Sequence, residues 1–165
     1  MLSKKIETLL NKQINHELTA AYNYLAMQAW FETANLAGFA TWMRHQAAEE
    51  LQHGMKLFAF LNDRGGNVKL ETVEKPTAGY KSPKEVFARA AELEQTNTRS
   101  IHELYAAAIE EKDYATQSCL KWFIDEQVEE EKTTKEISAL LEMAGDSKSA
   151  LLHLNAQFGQ RASAE

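Results

Sequence analysis

The chain has 165 residues, room for one domain with a sizeable core, and its 44% hydrophobic and 25% charged residues are ordinary for a globular protein. The scarcity of breakers, 7 Gly and 2 Pro, excludes collagen-like, linker-like and turn-rich all-β designs, and the one cysteine, Cys119, excludes a disulfide framework or a multi-cysteine metal site. A net charge of −6, from 18 Lys+Arg against 24 Asp+Glu, argues against a general nucleic-acid binder. No apolar run reaches the length of about 18 residues that a membrane span needs. The opening Met1-Leu2-Ser3-Lys4-Lys5 lacks the apolar stretch of a secretory signal, so a cytoplasmic, mostly helical domain is expected.

From Ser3 to about Glu32, Ile6, Leu10, Ile14, Leu18, Ala21, Leu25 and Ala29 recur at helical spacing and predict a first helix. After a break at Asn35–Gly38, a second helix carries Phe39, Met43, Ala47, Leu57 and Leu61 and ends near Arg64-Gly65-Gly66. Ser82-Pro83-Lys84-Glu85 combines an N-cap serine, an N1 proline and a capping-box glutamate, and starts a third helix through Phe87, Ala90, Ile101, Leu104 and Ala108. Lys112-Asp113 breaks the chain before a fourth helix from Tyr114 to Ala144, closed by Gly145. A short fifth helix over about 148–158 presents Leu151, Leu154 and Phe158 on one side.

The linkers set the topology. Short breaks make helices one and two, and three and four, antiparallel pairs. Residues 65–82 are too many for a turn, yet eighteen extended residues reach about 60 Å, more than the roughly 40 Å of a 27-residue helix. They can travel the length of a bundle and start helix three at the far end, parallel to helix two. The expected fold is all-α: a four-helix bundle over 3–144 with one long crossover at 65–82 and a short C-terminal fifth helix, in a single domain spanning 1–165.

Carboxylates interrupt the stripes that should be apolar. Helix one places Glu17 and Tyr24 on the positions 10, 14, 17, 21, 24, 28, and helix two places Glu50 on 39, 43, 46, 50, 54, 57, with Glu49 beside it and His53 one turn on. Helix three carries Glu94 on 87, 90, 94, 97, 101, and helix four carries Gln127 and Glu130 on 120, 123, 127, 130, 134, 137. One such glutamate is commonly an edge residue, but four on four facing helices need protons or cations to be buried together. No Lys or Arg occupies the matching positions, so metal is the natural counter-charge. Hard oxygen donors with one imidazole suit iron or manganese, with zinc a competitor.

Glu17, Tyr24, Glu49-Glu50-x-x-His53, Glu94 and Glu126-Gln127-x-x-Glu130 resemble the pattern of the bacterial non-haem ferritins, and the resemblance covers the whole chain. It implies a first iron on Glu17, Glu50 and His53, and a second on Glu50, Glu94 and Glu130, with Gln127 nearby. It also implies a third iron site on Glu49, Glu126, Glu129 and Glu130, oxidation of Fe(II) by O2 or H2O2, and storage of Fe(III) as an oxyhydroxide mineral. The implied assembly is a shell of about 24 copies with the fifth helix lining a four-fold channel, without nucleic-acid or membrane partners. Tyr24, seven residues after Glu17, falls on the same face and could donate an electron or bond a ligand.

Departures from the relatives narrow the choice. Di-iron oxygenases and bacterioferritins carry a second ExxH on helix four, where this chain has Glu130 instead of histidine. Leu51 and Gln52 stand where a haem-ligating methionine would lie, so haem is not expected; Cys119 alone cannot supply rubrerythrin-like cysteine pairs. Mini-ferritins that coat DNA usually lack the fifth helix and share their sites between subunits, whereas these ligands lie within one chain. His16, His45, His102 and His153 lack a convincing carboxylate partner, Glu131 is expected at the surface, and Trp122 and Cys119 are expected in the core. The tail Arg161-Ala162-Ser163-Ala164-Glu165 reads as ordinary surface. A di-iron oxygenase or peroxidase without a mineral, and a purely structural bundle with neutral core glutamates, stay open as alternatives.

Overall fold

A computed structural model of the chain describes residues 2–161; Met1 and the end of the tail, 162–165, lie outside them. The described residues form helices α1 (Lys4–Thr33), α2 (Ala37–Asp63), α3 (Pro83–Glu110), α4 (Tyr114–Ala144) and α5 (Lys148–Arg161), with no strand among them. Three of the starts are capped by a side chain. Ser3 accepts from the Ile6 amide at α1, Ser82 from the Glu85 amide at α3, and Asp113 from the Thr116 amide at α4, each occupying a donor that the helix leaves unpaired. The tight breaks use left-handed backbone at Asn35 (φ 58°) and Lys112 (φ 54°).

Pairings along α1 establish the topology. Lys5 meets Glu110 and Lys12 meets Glu103, so α3 runs antiparallel to α1. Glu17 lies beside Gly54 and Leu2 near Leu61, so α2 is antiparallel to α1 as well. Helices α2 and α3 are therefore parallel, as the long linker implies. Helix α4 returns along α3, Lys84 pairing with Glu142 at one end and Gln117 bonding the Ala108 carbonyl at the other.

The non-helical stretch between Asp63 and Pro83 is strapped to α1 by a ladder of side chains. Glu7 accepts from the Asn67 amide at 3.1 Å; Asn11 donates to the Asn67 carbonyl at 3.0 Å and accepts from the Lys69 amide at 2.6 Å. Asn15 donates to the Lys69 carbonyl at 2.9 Å and accepts from the Glu71 amide at 2.8 Å. Four helical residues rise about 6 Å and two extended residues about 6.6 Å, so the spacing 7, 11, 15 matches 67, 69, 71 rung for rung. At the far end, Trp30 Nε1 donates to the Tyr80 carbonyl at 2.8 Å.

The core divides into two apolar halves. One holds Ile6, Leu10, Ile14, Leu57, Leu61, Ile101, Leu104, Leu120 and Phe123. The other holds Tyr24, Met27, Phe31, Phe39, Met43, Phe87, Ile137 and Leu141, and α5 seals it with Leu154 and Phe158. Phe158 stacks on Phe39 with ring centres 6.0 Å apart. On every bundle helix the polar residues of the inward stripe fall between these halves, making a hydrophilic belt across the middle of the bundle. The stripes expected for α2 and α4 are buried throughout.

Some side chains depart from expectation. Leu25 is 48% exposed and Ala29 is exposed as well, because steps of four residues overshoot a 3.6-residue turn and drift off the buried face; Met27 and Phe31 take their place. Trp122, 38% exposed, sits one position off the inward stripe of α4 and forms the rim of the bundle. Cys119 is half-buried at the edge of the first apolar half, where burial pushes its thiol pKa up.

Candidate metal centre

Glu17, Glu50 and His53 meet inside the belt. One ligand atom from each lies within 4.8 Å of the others, and all three residues are buried; among the described residues no other group of His, Cys, Asp and Glu closes in this way. The ExxH spacing of α2 brings His53 Nδ1 to 3.6 Å from Glu50 Oε2 on one helix face. Gly54 lets α1 approach: a Cβ there would stand 3.3 Å from the Glu17 Cβ. Glu50 Oε2 is buried and has no hydrogen-bond partner, an acceptor whose burial a cation would compensate.

Helices α3 and α4 complete the belt. Tyr24, fully buried, donates a short hydrogen bond to Glu94 Oε1, and Gln127 Nε2 donates to Glu94 Oε2 at 3.4 Å and to Thr98 Oγ1 at 3.1 Å. Glu130 is buried on the same face, and its backbone carbonyl accepts from Thr134 Oγ1 at 2.8 Å. Gln46 donates to Glu49 and also bonds Glu130, joining the half-buried Glu49 to the belt. Glu126 is half-buried and close enough for its charge to act on Glu130, whereas Glu129 is exposed.

Crowding carboxylates away from water favours their protonated forms. Burial, then the charges of Glu94 and Glu17, push Glu50 well above the ordinary carboxylate range. Burial lifts Glu94 to about 7 despite opposing hydrogen bonds from Tyr24 and Gln127. Burial and the charges of Glu94, Glu49 and Glu126 lift Glu130 to about 9. Burial, then the charges of Glu94, Glu50 and Glu130, push the Tyr24 phenol up. No lysine or arginine forms an ion pair with Glu17, Glu50, Glu94 or Glu130 among the described residues, so the cluster lacks internal counter-charge. The donor set, carboxylates with one imidazole, suits a hard divalent or trivalent cation.

The residues around this set were less visible in the sequence. Trp122 and Phe123 stand edge-on to the His53 ring, at 5.2 and 6.1 Å between centres, and Lys56 Nζ sits 3.3 Å over the Trp122 ring. Gln13, Gln46 and Asn97 are buried amides bonded to the acidic residues. Gln46 and Asn97 stand at inward stripe positions, whereas Gln13 falls between those of α1 and gave no signal. Of the remaining histidines, His102 and His153 are exposed and His45 is half-buried; Glu131 is half-buried and pairs with Lys135 at 2.6 Å.

The sequence profile of the ferritin-like domain family matches residues 7–144. The chain belongs to the ferritin family. Among its relatives is the bacterial non-heme ferritin of Staphylococcus aureus, 40% identical over 161 residues, covering 98% of this chain and 97% of that one. The bacterial non-heme ferritin of Staphylococcus haemolyticus is 42% identical over 151 residues, covering 92% and 91%. Among solved structures, the open pore ferritin of the hyperthermophilic archaeon Archaeoglobus fulgidus is similar with a TM-score of 0.95 at 44% identity, covering 96% of this chain and 98% of that one. A closed form of that ferritin, engineered by site-directed mutagenesis, gives 0.94 at 43% identity. The five-helix architecture of this chain is thus that of a ferritin, and the buried acidic belt lies within the matched region.

Proposed function

We propose that the chain is an iron-storage ferroxidase, which binds Fe(II), oxidises it at a paired site in the belt and retains Fe(III) as an oxyhydroxide mineral inside a shell of copies, about 24, in the cytoplasm. The observation that carries this reading is the buried Glu17–Glu50–His53 group, with its unpartnered Glu50 oxygen and with Glu94 and Glu130 alongside. In this reading Glu17, Glu50 and His53 hold one Fe(II), Glu50, Glu94 and Glu130 the next, and Glu50 bridges. The whole chain, 1–165, is read as one ferritin-like domain.

Two Fe(II) held side by side supply O2 with two electrons at once, giving two Fe(III) and, with two protons, H2O2. Metal binding displaces the protons that burial holds on Glu50, Glu94 and Glu130. Ionised carboxylates favour the trivalent product over Fe(II), because the extra positive charge gains more from them. Tyr24 can donate its hydroxyl proton to Glu94 and stands next to the paired site as a one-electron donor. With a single imidazole and no histidine at 130, the site holds Fe(III) loosely enough to release it. Glu49, Glu126, Glu129 and Glu130 are read as a third, transit site; the half-buried and exposed positions of the first three suit onward passage.

The experiment is Fe(II) oxidation in air by metal-free protein and by Glu50→Ala, followed by optical absorption of Fe(III), with circular dichroism as the fold control. Oxidation at the uncatalysed background with helix content intact supports the paired site. A variant that oxidises iron as fast as the parent chain overturns it.

A further inference from the structure

Glu17 is held by two amides from different helices. Gln13, one turn earlier on α1 and fully buried, donates from Nε2 to Glu17 Oε1 at 2.8 Å. Asn97 on α3, 5% exposed, donates from Nδ2 to Glu17 Oε2 at 2.9 Å. Gln13 Nε2 also donates a short bond to Asn97 Oδ1, which leaves the Asn97 amide only one orientation that satisfies both partners. Each Glu17 oxygen thereby accepts one N–H, and the Glu17 carboxyl also meets Glu50 by a side-chain hydrogen bond, a contact that a cation between the two would replace. Asn97 lies one turn after Glu94, so the triangle ties the α1 carboxylate to the helix that carries the second site.

We propose that Gln13 and Asn97 are positioning residues that fix the Glu17 carboxylate for the first metal ion, through the hydrogen bonds Gln13–Glu17, Asn97–Glu17 and Gln13–Asn97. A glutamate side chain free to rotate must be ordered when a metal binds, and a carboxylate already held by two N–H donors has met that cost in folding. Partners of this kind are worth about 10–100-fold in metal affinity. Asn97 also lines a pocket of about 220 Å³ between α1 and α3, together with His16, Thr19, Arg89 and Thr96. The inference rests on the reading of Glu17 as a metal ligand.

The test uses assembled, metal-free protein titrated with Co(II) as a redox-silent probe, read by calorimetry and by the visible absorption of the bound ion. Asn97→Leu keeps the pocket wall and removes the amide; Gln13→Met keeps the volume and removes the other. Each is expected to weaken the first Co(II) about 10–100-fold, to change its absorption spectrum and to affect a second ion less. Ser100→Ala, a buried polar residue without a bond to Glu17, is expected to leave both readouts unchanged. Two soluble, helical variants give independent readings, so failure of one to fold leaves the other to decide. Unchanged affinity and spectrum in the folded variants overturns the proposal, as does an equal loss in Ser100→Ala. Glu17→Ala separates the two readings: no loss there removes the ligand assignment itself, whereas loss there with none in the amide variants overturns the positioning alone.

Discussion

The metal-free bundle is expected to lose stability as pH rises from 5 to 7, opposite to the usual behaviour of carboxylates held in ion pairs. Burial raises Glu94 from its ordinary 4.5 to about 7. Between those values the folded chain keeps a proton that the unfolded chain has released, so the folded state binds more protons and stability falls with rising pH. At 1.36 kcal/mol per pKa unit the Glu94 share of the loss is about 2 kcal/mol between pH 5 and 7. Glu130, pushed to about 9, acts in the same direction and extends the decline above neutrality. His16 opposes it, since burial and then Lys12 lower its pKa and favour the neutral folded form as pH rises. The difference between the parent chain and Glu94→Gln therefore isolates the effect. Urea unfolding of chelator-treated protein at pH 5, 6 and 7, at one subunit concentration and ionic strength, is expected to show a decline that Glu94→Gln makes shallower by the Glu94 share, while Glu50 and Glu130 keep the rest. Equal slopes in both proteins, or a parent chain whose advantage over the variant grows with pH, would mean that Glu94 is not held protonated by burial.

Metal should invert that dependence: binding needs ionised carboxylates, so a Zn(II) titration in weakly buffered solution near neutral pH is expected to release protons, and the absence of release would count against ligation by Glu94 and Glu130. Gly38→Ala would drive a Cβ to within 1.7 Å of the Asn155 backbone oxygen, so overpacking should cost about 1–3 kcal/mol and loosen α5, visible as a lower thermal midpoint and faster proteolysis after residue 145. Asn11→Ala removes two rungs of the crossover ladder, and a loss of about 1–3 kcal/mol is expected, with amide exchange of Lys69 accelerating and that of α4 unchanged. Asp113→Ala removes the α4 cap and the paired bonds from Arg64 at 3.0 and 3.1 Å, so urea unfolding at pH 7 should show a loss of about 1–2 kcal/mol. Burial opposes the Asp113 charge, but Arg64 and Thr116 prevail and hold its pKa below the ordinary value of 3.8, so this contribution is present at neutral pH and fades only as the solution becomes strongly acidic.

The bundle was legible because α2, α3 and α4 carry inward stripes unbroken except by chemistry, and because the length of 65–82 made sense only as a crossover between parallel helices. The buried acidic belt was legible for a related reason: a glutamate on a buried stripe violates the pattern, and Glu17, Glu50, Glu94 and Glu130 violate it on facing helices. The amides were not, since Gln13, Gln46 and Asn97 are neutral and break no charge rule; their importance lies in which acidic oxygen each meets. The ladder from Glu7, Asn11 and Asn15 was hidden too, because a polar stripe at helical spacing reads as a solvated face until an extended chain is laid against it. Leu25 shows the converse error, an apolar residue placed inward by spacing and turned outward by helical geometry.

The central claim is that the acidic belt feeds a mineral store, and the most direct measurement is iron retained per chain. Metal-free protein is given excess Fe(II) in air and passed through a sizing column, and iron and protein are determined in each fraction. Iron far above the three ions of the proposed sites, carried in a very large particle, is the expected result. Two or three ions per chain on a small species, or no iron at all, would contradict it.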